Sequence, residues 1–137
     1  MPKLRRPSKG AGLRIAAVLA AAVSLPVLAS PNAHAIAWDH TIHSDDGDPG
    51  ARLRFEANGD IVELCDIEAD GFAAYAEIYD PKTGQTRTLT VGGNGNCKRR
   101  DASDSGWNLV EGRKYSFMVA LTEGNYIAYP DDETWTA

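Results

Sequence analysis

Residues 36–137 predict an all-β protein: an antiparallel two-sheet sandwich of about seven strands with one disulfide, a small β-barrel being the alternative. Three observations carry this reading. No stretch of useful length repeats its apolar residues at helical period. Short runs instead alternate apolar and polar residues, as strands with one buried face do. Turn-forming residues separate these runs at short intervals.

Trp38 to Ile42 is the first expected strand, and His43 to Gly50 reads as a loop on composition. Arg52 to Ala57 alternates strictly, with Leu53, Phe55 and Ala57 on one side and charges on the other. Asn58-Gly59 signals a two-residue hairpin, because both residue types tolerate positive φ. Ile61 to Ile67 is its partner strand. Asp70-Gly71 repeats the hairpin signal, and Phe72 to Tyr79 follows with Phe72, Ala74, Ala76 and Ile78 on one face. Asp80-Pro81-Lys82-Thr83-Gly84 is a turn in which proline pre-sets φ. Thr86 to Val91 sets Leu89 and Val91 against Thr88 and Thr90. Gly92 to Gly106 is expected to be the longest irregular stretch.

The last third carries the most distinctive structural phrase. Leu109-Val110-Glu111-Gly112-Arg113-Lys114-Tyr115 runs into the alternating segment Ser116-Phe117-Met118-Val119. This resembles the tyrosine-corner segment of fibronectin type III and related sandwiches. The resemblance implies that the Tyr115 hydroxyl bonds back to the backbone just upstream, with Leu109 and Gly112 shaping the turn. It covers about eleven residues and bears on architecture alone. Immunoglobulin domains place a cysteine two residues after that tyrosine. Phe117 stands there in this chain, so a Cys65–Cys97 bridge differs from theirs. Thr122 to Asn125 is a turn, Tyr126 to Tyr129 the last strand, and Pro130 to Glu133 an acidic break.

Residues 1–35 read as a secretory signal peptide. Lys3, Arg5, Arg6, Lys9 and Arg14 form a positive region, Ile15 to Val23 an apolar one closed by Pro26, and Ala33-His34-Ala35 a small-x-small cleavage site. Behind the leader at 1–35 this leaves one domain, a sandwich at 36–137. The apolar run is short for a membrane span, and no cysteine marks a lipid-anchored amino terminus, so no membrane anchor is expected. Arg5-Arg6 raises the twin-arginine route, but Pro7-Ser8-Lys9 lacks the apolar residues that usually follow such a pair, which favours general secretory export.

Removing the leader exposes the charge imbalance of the mature chain. Nine basic residues then face nineteen acidic ones, a net charge of −10. Such a surface repels nucleic acid and anionic lipid, so neither is expected as a partner. The alanine-rich leader, the preference for arginine over lysine and the phrase Gly59 to Gly71 resemble small exported actinobacterial proteins of uncharacterised function. That resemblance covers mainly Leu53 to Tyr79. It implies compartment and lineage only.

Cys65 and Cys97 in a small exported domain read as a disulfide. Free or reactive thiols are the alternative, but neither cysteine has a histidine nearby in sequence. His40 and His43 lie near Asp39, Asp45, Asp46 and Asp48, yet a strand points the two imidazoles to opposite sides. The acids also miss the ordered spacing of a calcium loop, so a solvated turn is expected and no metal. Lys98, Arg99 and Arg100 follow Cys97 in the long irregular stretch. Three adjacent cations on an acidic protein are either a flexible neutralising loop or a disulfide-braced loop that inhibits trypsin-like proteases. Tyr75 and Tyr79, on the side opposite Phe72 and Ile78 and alongside Glu77, are a candidate aromatic surface. Trp38, Trp107, Trp135, Tyr126 and Tyr129 could add sugar-stacking rings or fill the core.

Catalysis finds no support. Two histidines remain after cleavage, and no serine, threonine or cysteine sits in a nucleophile motif. The expected role is therefore a secreted, monomeric, non-enzymatic binding module without cofactor, its partner an extracellular protein or glycan. The alternative is the protease inhibitor acting through Lys98 to Arg100.

Overall fold

The computed structural model describes residues 35–137, so residues 1–34, all but the last of the expected leader, lie outside the described residues. Eight strands follow in order: β1 (His40–His43), β2 (Ala51–Glu56), β3 (Ile61–Asp66), β4 (Ala73–Tyr79), β5 (Thr86–Gly92), β6 (Cys97–Arg100), β7 (Lys114–Glu123) and β8 (Tyr126–Thr136). They form two four-stranded antiparallel sheets, sheet A ordered β1-β2-β3-β6 and sheet B ordered β5-β4-β7-β8. The sheets face each other as an open sandwich, not a closed barrel.

Alternation sets the core. Leu53, Phe55, Val62 and Leu64 from sheet A meet Ala74, Ala76, Ile78, Leu89, Phe117 and Val119 from sheet B, all buried. Aromatic rings close one end of this layer. Phe55 and Phe117 lie 4.8 Å apart, and Phe117 and Trp135 4.6 Å apart. His40 stacks on Trp135 at 4.7 Å, so this imidazole covers the core edge while exposed His43 faces the other way. Burying such rings removes large apolar areas from water, and their contacts fix how the sheets register.

Several connections depart from the sequence expectation. Gly92 to Gly106 carries an eighth strand: β6 pairs with β3 through Cys65↔Cys97, Leu64↔Lys98, Glu63↔Arg99 and Val62↔Arg100. Short edge strands rich in cations leave little alternating signal, because one flank is solvent. Asp70-Gly71 is no hairpin. It carries the chain from sheet A to sheet B, with the Asp70 carboxylate accepting from Phe72 N–H at 2.8 Å. Pro130 to Glu133 lies inside β8, where an outer edge tolerates both proline and charge. A bulge between Val119 and Leu121 accommodates Tyr129 at φ 51°, and the Tyr129 carbonyl accepts from Asp45 N–H at 3.0 Å. The first strand begins two residues later than expected, at His40.

The Cys65–Cys97 disulfide is present. Cys65 alternates with core residues Leu64 and Val62 and so faces the outer side of sheet A. The bridge therefore fastens the four-residue β6 to β3, rather than sheet to sheet.

Candidate functional site

The outer face of sheet B gathers the tyrosines singled out in the sequence. Ala74, Ala76 and Ile78 point into the core, which turns Tyr75, Glu77 and Tyr79 outward along the central strand β4. Register supplies their neighbours. Tyr75 lies between Thr90 and Ala120, Glu77 between Thr88 and Met118, and Tyr79 between Thr86 and Ser116. Asp132 and Thr134 of β8 extend the last two rows. Thr86, Thr88 and Thr90 are exposed, forming a column of hydroxyls beside the β4 ladder. These rows carry two carboxylates and no cation.

The two residues are four positions apart on one strand, a backbone spacing of about 13 Å. They differ in state. Tyr79 is 39% exposed. Tyr75 is half-buried and donates its hydroxyl proton to Glu77 Oε2 at 3.2 Å. Burial, with the hydrogen bond to Glu77 and its negative charge, pushes the Tyr75 phenol above its ordinary value, so it stays protonated. The fully buried Ala120 opposite Tyr75 leaves the sheet surface low there.

A groove of about 590 Å³ adjoins this face at the β5 edge, lined by Thr86, Arg87, Thr88 and the segment Ser105 to Asn108, including Trp107. Arg87 turns the other way from the threonines, places its guanidinium 5.9 Å from the Tyr115 ring, and donates from Nε to the Gly106 carbonyl. That bond fixes the far wall of the groove. Beneath it, Asp60 accepts from Leu109 N–H at 2.7 Å. Burial raises the Asp60 carboxyl above its usual range, and Glu111 adds to the rise; the Leu109 bond and Arg87 oppose it. Tyr115 is buried, and its hydroxyl accepts from Val110 N–H at 2.9 Å, while Leu109 is buried and Gly112 takes φ 73° at the turn.

The basic triplet sits elsewhere. Lys98, Arg99 and Arg100 belong to strand β6, not to a protruding loop. Arg99 donates to Glu63 Oε2 at 2.6 Å, and Arg54 donates to Oε1 of the same carboxylate. Trp38 covers both arginines, its ring 4.5 Å from the Arg54 guanidinium and 5.7 Å from that of Arg99. Burial alone would raise the Glu63 carboxyl, but the hydrogen bonds and charges of Arg54 and Arg99 hold it below the usual carboxylate range. Lys98 and Arg100 alternate to the inner side at the sheet edge, where Arg100 approaches Asp104 at 4.0 Å.

Acidic residues do converge, though without the histidines. Asp46, Glu68 and Asp70 place carboxylate oxygens within 4.8 Å of one another. The Glu68 carboxyl is raised by burial and by the charges of Asp48, Asp70 and Asp46. Sequence reasoning missed this grouping because Glu68 and Asp70 lie beyond two strands. It also missed the threonine column, whose members carry no motif and acquire meaning only through register with β4. No family model, curated protein or solved structure matches this chain.

Proposed function

We propose that this protein is an exported, non-enzymatic binding module that docks an uncharged glycan chain on the outer face of sheet B. The Tyr75-Glu77-Tyr79 ladder flanked by Thr86, Thr88 and Thr90 carries this reading. Aromatic faces stack on the apolar faces of sugar rings, while hydroxyls and carboxylates bond their hydroxyl groups. The rows of Tyr75, Glu77 and Tyr79 carry carboxylates and no cation, Lys114 lying one row beyond them, and this balance disfavours anionic polymers. The groove beside Trp107 lengthens the surface past β5. Glu77 is engaged by Tyr75 on an open face, an arrangement suited to holding a ligand rather than cleaving it.

Export through the leader, with cleavage after Ala35, belongs to the same proposal. The Cys65–Cys97 disulfide fits an oxidising compartment, and no helix among the described residues is long and apolar enough to cross a membrane. The inhibitor reading draws less support. A protease-facing segment has to protrude, whereas β6 is paired along its length and Arg99 is spent on Glu63.

Retention of the secreted protein on insoluble neutral glycans, with calorimetry against soluble oligosaccharides, tests the proposal. Tyr79→Ala should weaken retention about tenfold or more, in keeping with exposed aromatic contacts at other binding surfaces, and Trp107→Ala, which removes a half-buried ring packed against the core, should do so while also lowering the melting temperature. Replacing Lys98, Arg99 and Arg100 by glutamine should leave it unchanged. Retention indifferent to Tyr79 and Trp107, or stoichiometric inhibition of a trypsin-like protease, would overturn it.

A further inference from the structure

We propose that cleavage of the leader completes the fold, by setting the new α-ammonium group of Ile36 against the carboxylate of Glu56. Glu56 ends β2 and faces the outer side of sheet A, opposite Ile61. Its Oε2 is buried and has no hydrogen-bond partner among the described residues. An unpaired buried carboxylate oxygen is costly, and native structures rarely leave one without cause. Glu56 lines a cavity of about 410 Å³ together with Ala35, Ile36, Ala37, Asn58 and Ile61. The orphaned oxygen and the expected cleavage site thus share one small space.

The neighbouring charges are already committed. Glu63 holds Arg54 and Arg99 in the next row, and the Asp39 carboxylate accepts from Ala57 N–H at 2.9 Å. Among the described residues, no cation lines the cavity. The chain just downstream is fastened, since Trp38 lies on Arg54 and Arg99 and Asp39 N–H donates to the Phe55 carbonyl at 3.0 Å. Three residues of slack confine Ile36 within roughly 10 Å of that anchor.

The chemistry of cleavage supplies what is missing. In the precursor, Ile36 offers one neutral amide N–H. A signal peptidase hydrolyses the Ala35–Ile36 bond with one water. The water oxygen joins the Ala35 carboxylate, and the Ile36 nitrogen takes up protons to become an ammonium with three donors. A positive charge then stands beside the buried Oε2 of Glu56, a charge-assisted contact stronger than the amide could make. The precursor, threaded through the membrane unfolded, accordingly folds less stably than the exported chain.

This inference rests on cleavage after Ala35 and not on the glycan face. The test secretes the full chain and its Glu56→Gln variant and reads the mass of each product. Both should begin at Ile36. Glu56→Gln should melt lower by roughly 4 °C or more, the shift that one lost charged contact gives a domain this size. Its α-amine should react several-fold faster with an amine-directed reagent at neutral pH. A second variant carries one glycine inserted between Ala35 and Ile36, so that cleavage leaves the ammonium one residue away. It should show the same loss, and adding Glu56→Gln to it should cost nothing more. A product beginning elsewhere overturns the cleavage premise. A product beginning at Ile36 whose melting and labelling ignore Glu56 overturns the latch alone.

Discussion

The Tyr115 hydroxyl accepts a hydrogen bond from the Val110 N–H at 2.9 Å, while its ring is buried beneath the Arg87 guanidinium. One side chain thereby ties the entry of β7 to the segment that walls the Trp107 groove. Tyr115→Phe keeps the ring and strands the amide. A loss of about 1 kcal/mol is expected in urea unfolding, with no change of slope.

Glu63 joins three strands of sheet A by holding Arg54 of β2 and Arg99 of β6 from its place in β3. Its carboxyl is held below the ordinary range, so its stabilisation is fully present above the unfolded value and is lost as pH falls through the folded value. Glu63→Gln should remove about 2 kcal/mol at neutral pH. Melting curves taken down the acid limb should show the wild type and the variant converging.

Asp60 predicts the opposite sign. Burial raises its carboxyl above the unfolded value, so the folded state binds its proton more tightly and stability falls as pH rises through that window. Asp60→Asn keeps an oxygen for Leu109 N–H and tolerates the positive φ of 52°. The variant should melt higher than wild type at neutral pH. That advantage should shrink toward low pH, and a lower melting point at neutral pH would refute the assignment.

Replacing Cys65 and Cys97 together by serine opens a loop with a sequence separation of 32. Restored freedom of the unfolded chain should cost roughly 3–4 kcal/mol. Amide exchange should quicken first along β6 and the facing flank of β3, with the β4–β7 pairing protected longest.

The fold was legible because alternation is a local signal. Leu53 and Phe55, Ala74, Ala76 and Ile78, and Leu89 all point inward as their spacing requires. What depended on distant contacts was not legible. Asn58-Gly59 predicted a two-residue turn, but the connection runs Ala57 to Asp60, with positive φ at Gly59 and Asp60. The Asp60 carboxylate reaches Leu109, forty-nine positions away, and that bond draws Asp60 into the turn. Asp70-Gly71 shows the same limit, since a turn signal cannot tell a hairpin from a crossing between sheets. In the candidate site, Tyr75, Tyr79 and Glu77 could be read from alternation. Thr86, Thr88 and Thr90 could not be aligned with them until the β4–β5 register was known.

The position of the disulfide has a consequence for how the protein ages. Because the bridge lies on the skin of sheet A, reduction leaves most of the sandwich standing and frees its border. The flank of β3 uncovered in this way carries Val62 and Leu64 with unpaired backbone groups, a template for other chains. Damage of this kind spreads from molecule to molecule. In a reducing medium the useful life of a preparation should therefore shorten with concentration, on top of the fall in melting temperature that loss of the bridge brings.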